Sequence, residues 1–192
     1  KQADWLLTRE EMRSYFDDPS SSRENLLEIG QTTALDFDFN VADYGDDYLS
    51  QGRAVQEQLK DVGFNPTLKI LTPTEYAEKV VRDKDYQISL GVLSPSNTPN
   101  SFLLATLHSG GQWNLLNHTD ERLDNIIEAK AVEMDDMKRK NQIRELQRYI
   151  LDQAYMFSPV TGPTRWVSWP HVKGFYPNAA LSEYFYWAGT WI

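Results

Sequence analysis

The chain has 192 residues, 41% of them hydrophobic and 24% charged, enough to bury a core and too apolar for wholesale disorder. Its 28 acidic against 19 basic side chains give a net charge of −9, which argues against the clustered cations of a nucleic-acid or anionic-membrane surface. With no cysteine, disulfides, thiol nucleophiles, zinc ribbons and iron–sulfur clusters are excluded. No run approaches the roughly 20 apolar residues of a membrane helix. The chain opens on Lys1-Gln2-Ala3-Asp4, with neither Met nor an apolar signal core, and the expectation is a processed protein or a piece of a longer one.

Thr8-Arg9-Glu10-Glu11 reads as a capping box, and Asp18-Pro19 as an N-cap followed by proline at the first helical position. That second helix runs through Leu26, Leu27 and Ile29 to Gly30. Leu35, Phe37, Phe39 and Val41 alternate with polar residues, the period of a strand with one buried face. A helix over about 47–62 follows, striped by Tyr48, Gly52, Val55, Leu59 and Val62, and Gly63 ends it. Thr67 to Leu71 reads as a second strand. Thr72-Pro73-Thr74-Glu75 opens a helix over about 73–83, and Tyr86 to Leu93 is a third, apolar strand. Strand, helix, strand, helix, strand is the order of a parallel sheet with crossover helices.

Residues 94–100, with two prolines among small polar side chains, read as a loop just after that third strand. Ligands of open α/β sheets bind in the crevice beyond the strand ends. Phe102 to Leu107 reads as a short helix, broken at Ser109-Gly110-Gly111. Two longer helices follow, one from near Thr119 burying Leu123, Ile126, Ile127 and Ala131, the other from near Asp135 burying Ile143, Leu146, Ile150 and Ala154. The stretch 155–192 holds 11 of the 24 aromatic residues, with little regular period. Such rings line a cleft or pack on a neighbouring domain, and packing is the favoured reading.

No reaction chemistry stands out. His108 and His118 flank the Gly-Gly turn, a spacing that makes no zinc motif without further ligands, and His171 lies far along the chain. Asp36 and Asp38 share a strand face, and Asp43, Asp46 and Asp47 crowd one loop. Neither set completes a glycosidase pair or a calcium loop, and both read as caps and solvated charge. No nucleophile elbow, phosphate loop or dinucleotide fingerprint occurs. The expectation is a protein that is not an enzyme, with no cofactor and no metal.

A set of weak motifs, in order along nearly the whole chain, carries a resemblance. Asp18-Pro19 with Leu26-Leu27-Glu28-Ile29-Gly30 is the first, and Val55-Gln56-Glu57-Gln58-Leu59-Lys60-Asp61-Val62-Gly63 the second. Then come Tyr76 near a helix start, Asp85-Tyr86-Gln87-Ile88-Ser89-Leu90-Gly91, and Pro99-Asn100-Ser101-Phe102-Leu103. Asn117-His118-Thr119-Asp120-Glu121, Asp135-Asp136-Met137-Lys138-Arg139 and Val172-Lys173-Gly174-Phe175 complete it. Together they resemble the extracellular solute-binding proteins of family 5, the peptide- and nickel-type components of ABC importers.

The resemblance implies an α/β, periplasmic-binding-protein-like lobe, a mixed sheet flanked by helices with an irregular aromatic-rich C-terminal segment. Residues 1–158 would be the ligand-binding, C-terminal lobe of a larger two-lobed protein, and 159–192 would pack partly on the missing N-terminal lobe. The implied function is non-catalytic capture of a peptide or other small polar solute and its delivery to the membrane permease of an ABC transporter. The implied location is periplasmic or extracellular, with any lipid anchor upstream. A ligand-sensing regulatory domain on the same lobe, or an oligosaccharide binder, remains open. The implied ligand residues are Val92, Leu93, Ser94, Pro95, Ser96, Asn97 and Thr98 after the third strand, with Trp113 and Asn114 after the Gly-Gly turn. Where peptide-binding members carry an acid for the peptide's ammonium, this chain has Pro95. The loop therefore offers neutral hydrogen-bonding groups instead.

Overall fold

The computed structural model describes residues 4–16, 18–92, 98–157, 167–175 and 189–192. Its sheet has three parallel strands in the order β2-β1-β3, formed by β1 (Leu35–Ala42), β2 (Phe64–Leu71) and β3 (Ile88–Leu90). Leu35 pairs with Phe64 and Ala42 with Leu71, while Phe39 pairs with Ile88 and Val41 with Leu90. The α/β lobe is therefore present, and its described strands are all parallel rather than mixed. The antiparallel pairing among the described residues is an isolated bridge between Lys173 and Trp191.

The period-2 pattern of β1 holds for Phe37, Phe39 and Val41, whereas Leu35 at the strand's start is exposed and Asn40 and Ala42 are buried on the other face. Phe37, Phe39 and Val41 point to one face, where they pack with Leu49, Val55 and Leu59 of α3 (Asp46–Asp61). Gly52 lets this helix lie close on the sheet, since a Cβ there would stand 2.8 Å from Val41 Cγ2. Gly63, at φ 101°, turns the chain from α3 into β2. On the other face Ala42 packs with Tyr76 and Val80, carried by α4 (Pro73–Tyr76) and the turns after it.

A second cluster lies outside the sheet. Leu103 and Leu107 pack with Leu123 and Ile127 of α6 (Glu121–Val132) and Leu146 of α7 (Asp136–Asp152). The N-terminal segment clasps α7. Leu7 is buried, Gln147 Nε2 donates to the Trp5 carbonyl at 2.9 Å, and Arg144 and Arg148 reach Glu11 at 2.7 and 2.6 Å.

The local signals hold. Thr8 and Glu11 form the capping box of α1 (Arg9–Met12), Asp18 and Pro19 open α2 (Pro19–Glu28), and Thr72 and Glu75 cap α4. Boundaries that depend on tertiary contacts differ. β2 starts at Phe64, three residues earlier than predicted, because an edge strand tolerates Pro66 without its amide. β3 spans only Ile88–Leu90. Gln87 meets the sheet through its side chain, whose Oε1 accepts from Asp38 N at 2.9 Å, and the Tyr86 hydroxyl turns away to the Leu115 carbonyl at 2.8 Å.

The helices predicted over 73–83 and 102–107 are one α-turn each, continued by wider i→i+5 turns at Ala77–Arg82 and Leu103–Leu107. The first α-turn of the latter, α5, is Pro99–Phe102. Ala154, expected in the buried stripe of α7, lies beyond its end, exposed and at φ 52°. Among the described residues no helix is long and apolar enough to cross a membrane.

Candidate functional site

The three strands run the same way, so their carboxyl ends gather at one edge of the sheet, at Ala42, Leu71 and Leu90. Three segments leave from that edge. After β1, Asp43 N extends the pairing by donating to the Leu71 carbonyl at 2.8 Å. Tyr44 N then bonds the Ala42 carbonyl at 3.0 Å, and Gly45, at φ 109°, turns the chain into α3. After β2, Thr72 caps α4. After β3 come Gly91 and Val92.

Aromatic rings join these segments. Tyr44 meets Tyr48 edge-on at 5.5 Å between centroids, and Tyr76 at 6.2 Å. Tyr76 is buried, which pushes its hydroxyl pKa up. Its hydroxyl end fills the space beside Gly91, where a Cβ would stand only 2.3 Å from the oxygen. One run of rings thus spans the edge from the exposed Tyr44 to the start of the 91–98 segment. None of these tyrosines was predicted as a ligand residue. Tyr48 reads as a position on a helix stripe, Tyr76 as a motif residue near a helix start and Tyr44 as part of a loop; Tyr44 and Tyr48 are four residues apart, and the pairing of β1 with β2 brings Tyr76 to them.

The predicted ligand residues fall into three groups. Leu93, Ser94, Pro95, Ser96 and Asn97 lie outside the described residues. Val92 follows Gly91 at the carboxyl end of β3, with 45% of its surface exposed. Thr98 is the N-cap of α5: its Oγ1 accepts from Ser101 N at 3.1 Å, and Ser101 Oγ returns to the Thr98 carbonyl at 2.9 Å.

Trp113 and Asn114 join the same unit as Thr98, because Trp113 N donates to the Ala105 carbonyl at 2.8 Å in the turns that continue α5. Asn114 is buried, and both its amide hydrogens are used internally, donating to the Ser109 and His118 carbonyls at 3.0 and 2.9 Å. Its Oδ1 is buried without a partner among the described residues.

The surrounding polar groups are tied into hydrogen bonds around this turn and α6. His108 Nδ1 accepts from Gly110 N at 3.0 Å, so its Nε2 faces Glu128 as a donor at 3.1 Å. His118 Nε2 donates to the Leu107 carbonyl at 2.9 Å. Asp120 caps α6 through Leu123 N and accepts from the hydroxyls of Tyr149 and Tyr155 at 2.8 and 2.7 Å. Burial alone would raise the Asp120 pKa, but these bonds outweigh it and the net direction is down. The same bond pushes Tyr155 up to about 12. Lys130, on the buried side of α6, extends its ammonium to Asn100 Oδ1 of α5; no carboxylate pairs with it among the described ion pairs, and burial lowers its pKa. Among the described residues no three His or carboxylate side chains are grouped so as to hold a metal ion.

The fold of this chain, a three-stranded parallel sheet with a helical appendage, is similar to that of solved substrate-binding proteins of ABC transporters. The substrate-binding protein CtaP of Listeria monocytogenes matches at a TM-score of 0.63 with 24% identity, over 73% of this chain and 31% of that one. The substrate-binding domain of an oligopeptide ABC transporter from Bacillus anthracis matches at 0.59 with 22% identity, over 81% of this chain and 33% of that one. The periplasmic oligopeptide-binding protein of Thermotoga maritima, solved with mannohexaose bound, matches at 0.66 with 17% identity, over 79% and 32%. The chain therefore spans about a third of each of these structures. No protein-family model and no curated protein matches it.

Proposed function

We propose that this chain is the ligand-binding lobe of a family 5 solute-binding protein, which captures a small polar solute without chemistry and passes it to the permease of an ABC importer. The observation that carries the reading is the shared lobe fold together with the open carboxyl edge of the sheet, the place where such sheets bind ligands. A second lobe of the same protein closes over this edge. Ligand that touches both lobes binds the closed form better and so shifts the hinge equilibrium towards it. The protein works outside the cytoplasmic membrane, periplasmic or extracellular.

The segment from Val92 to Thr98 forms the ligand loop, with Trp113 beside it and Asn114 fixing the turn that presents Trp113. The 159–192 segment packs partly on the second lobe. Its described apolar side chains fit that role, since Val167, Trp169, Trp191 and Ile192 are 96%, 74%, 64% and 89% exposed, too much apolar surface to leave in water.

Peptides are the first ligand class to test, because several proteins that share the fold are named as peptide or oligopeptide binders. Oligosaccharides are the second, because the Thermotoga protein that shares the fold holds mannohexaose. Ligand-induced chemical shifts in the full-length protein test the site. The reading expects them at residues 92–98 and 113–114; shifts confined to other parts of the chain would remove the site from this edge.

A further inference from the structure

The edge carries a ring whose setting is unlike that of a core tyrosine. Tyr44 sits on the turn between β1 and α3 and has 40% of its surface uncovered. Two other rings nevertheless hold it, each nearly perpendicular to it, Tyr48 at 67° and Tyr76 at 70°. Edge-to-face contacts of this kind add to the burial they bring. The ring is therefore restrained on its inner side and open on its outer side. A restrained aromatic side chain with few torsions loses little freedom when something stacks on it, which is why tyrosine is frequent at binding surfaces.

The base of the ring cluster is also fixed. Tyr76 is packed with Ala42 and Val80, and its hydroxyl end occupies the gap at Gly91. Tyr44 is thus connected through one buried ring to the residue before Val92. Its position at the carboxyl end of the central strand puts it at the crevice rather than on a distant surface.

We propose that Tyr44, held by Tyr48 and Tyr76, is a stacking platform for the ligand, and that the ligand presents to it an uncharged, C–H-rich face. A pyranose ring offers such a face, and so does the side chain of an aromatic or aliphatic peptide residue. The proposal rests on the solute-binding reading and adds to it a specificity element on the first crossover, separate from the loop after β3. The hydroxyl of Tyr44 has no part in the stacking; the ring does.

The test is calorimetric titration of the full-length protein with mannohexaose, with the tetrapeptide Ala-Phe-Leu-Ala and with tetraglycine. Against the probe that binds, Tyr44→Phe should hold Kd within about twofold, and Tyr44→Ala should weaken it by about five- to tenfold. Binding of mannohexaose alone identifies a pyranose on the ring; binding of Ala-Phe-Leu-Ala in preference to tetraglycine identifies a side chain. The ligand's C–H protons provide a second readout that does not depend on the variant folding. In the wild-type protein they should move upfield in the Tyr44 ring current. Unchanged affinity in Tyr44→Ala, equal affinity for the two peptides in a protein that binds them, or no upfield movement would overturn the platform and leave the solute-binding reading standing. Failure of the wild-type protein to bind any of the three would overturn both.

Discussion

The ring of Tyr76 lies against the backbone of Gly91: a Cβ at Gly91 would stand 2.3 Å from the tyrosine hydroxyl oxygen and 2.4 Å from Cζ. Tyr76 is buried and belongs to the cluster that covers the Ala42 face of the sheet, so it cannot swing away freely. Gly91→Ala should therefore cost about 1–3 kcal/mol through overpacking. Urea denaturation of the two proteins measures it. Equal midpoints would mean that the ring moves aside without strain.

Gly52 makes the same kind of contact on the opposite face, 2.8 Å from Val41 Cγ2 to a Cβ placed there. In an exposed helix Gly→Ala gains about 1 kcal/mol. Here the methyl would strike a β-branched side chain in the buried strand, so Gly52→Ala should destabilise. Gly52→Ala combined with Val41→Ala should lose less than the sum of the two single changes, because the second opens the space that the first needs. Additive losses in a double-mutant cycle would show that the close approach carries no strain.

Glu11 ties the N-terminal segment to α7. Hydrogen bonds from the Thr8 amide and hydroxyl, then from Arg144, lower its pKa to about 2 from an ordinary 4.5. A carboxylate depressed in the folded state contributes stability above its ordinary pKa and loses it as pH falls towards the folded value. The clasp should hold at pH 5 and loosen between about pH 4.5 and 2. Trp5 reports on it, since its carbonyl accepts from Gln147. Fluorescence of a protein in which Trp5 is the remaining indole should change in that window and not in Glu11→Gln, which should already be loose at neutral pH.

Lys130 is a buried ammonium with a neutral partner, Asn100, and burial lowers its pKa. The unfolded chain binds its proton more tightly than the folded one, so this group's penalty shrinks as pH rises towards lysine's ordinary value of about 10.4. Lys130→Met removes the charge and keeps the volume, so it should be at least as stable as the wild type at pH 7. The difference should narrow by pH 9–10. Tyrosine titration affects both proteins alike and cancels. A variant less stable at pH 7 would mean that the bond to Asn100 outweighs the cost of burying the charge.

Much of the lobe is legible locally. Caps such as Thr8 with Glu11 and Thr72 with Glu75 need only residues three apart, and the alternation of Phe37, Phe39 and Val41 needs only the strand itself. The features that escape the sequence are those set across it. The short β3 follows from Gln87 reaching the sheet with its side chain, and the early start of β2 from its being an edge strand with no need of the Pro66 amide. The ring cluster escapes for the same reason. Tyr44 and Tyr48 meet locally, four residues apart, but only the pairing of β1 with β2 brings Tyr76 to the same edge. Asn114 reads as a cleft residue, yet its amide hydrogens hold the Ser109 and His118 carbonyls, bonds that the sequence does not announce.

A thermal-shift screen of the full-length protein against short peptides, manno-oligosaccharides and nickel chelates tests the central claim most directly. A ligand that binds only the folded state stabilises it by about 2.7 kcal/mol at a hundred times its Kd. The solute-binding account predicts that one class raises the melting temperature by several degrees in proportion to the logarithm of its concentration. No shift from any class at millimolar concentration would contradict it.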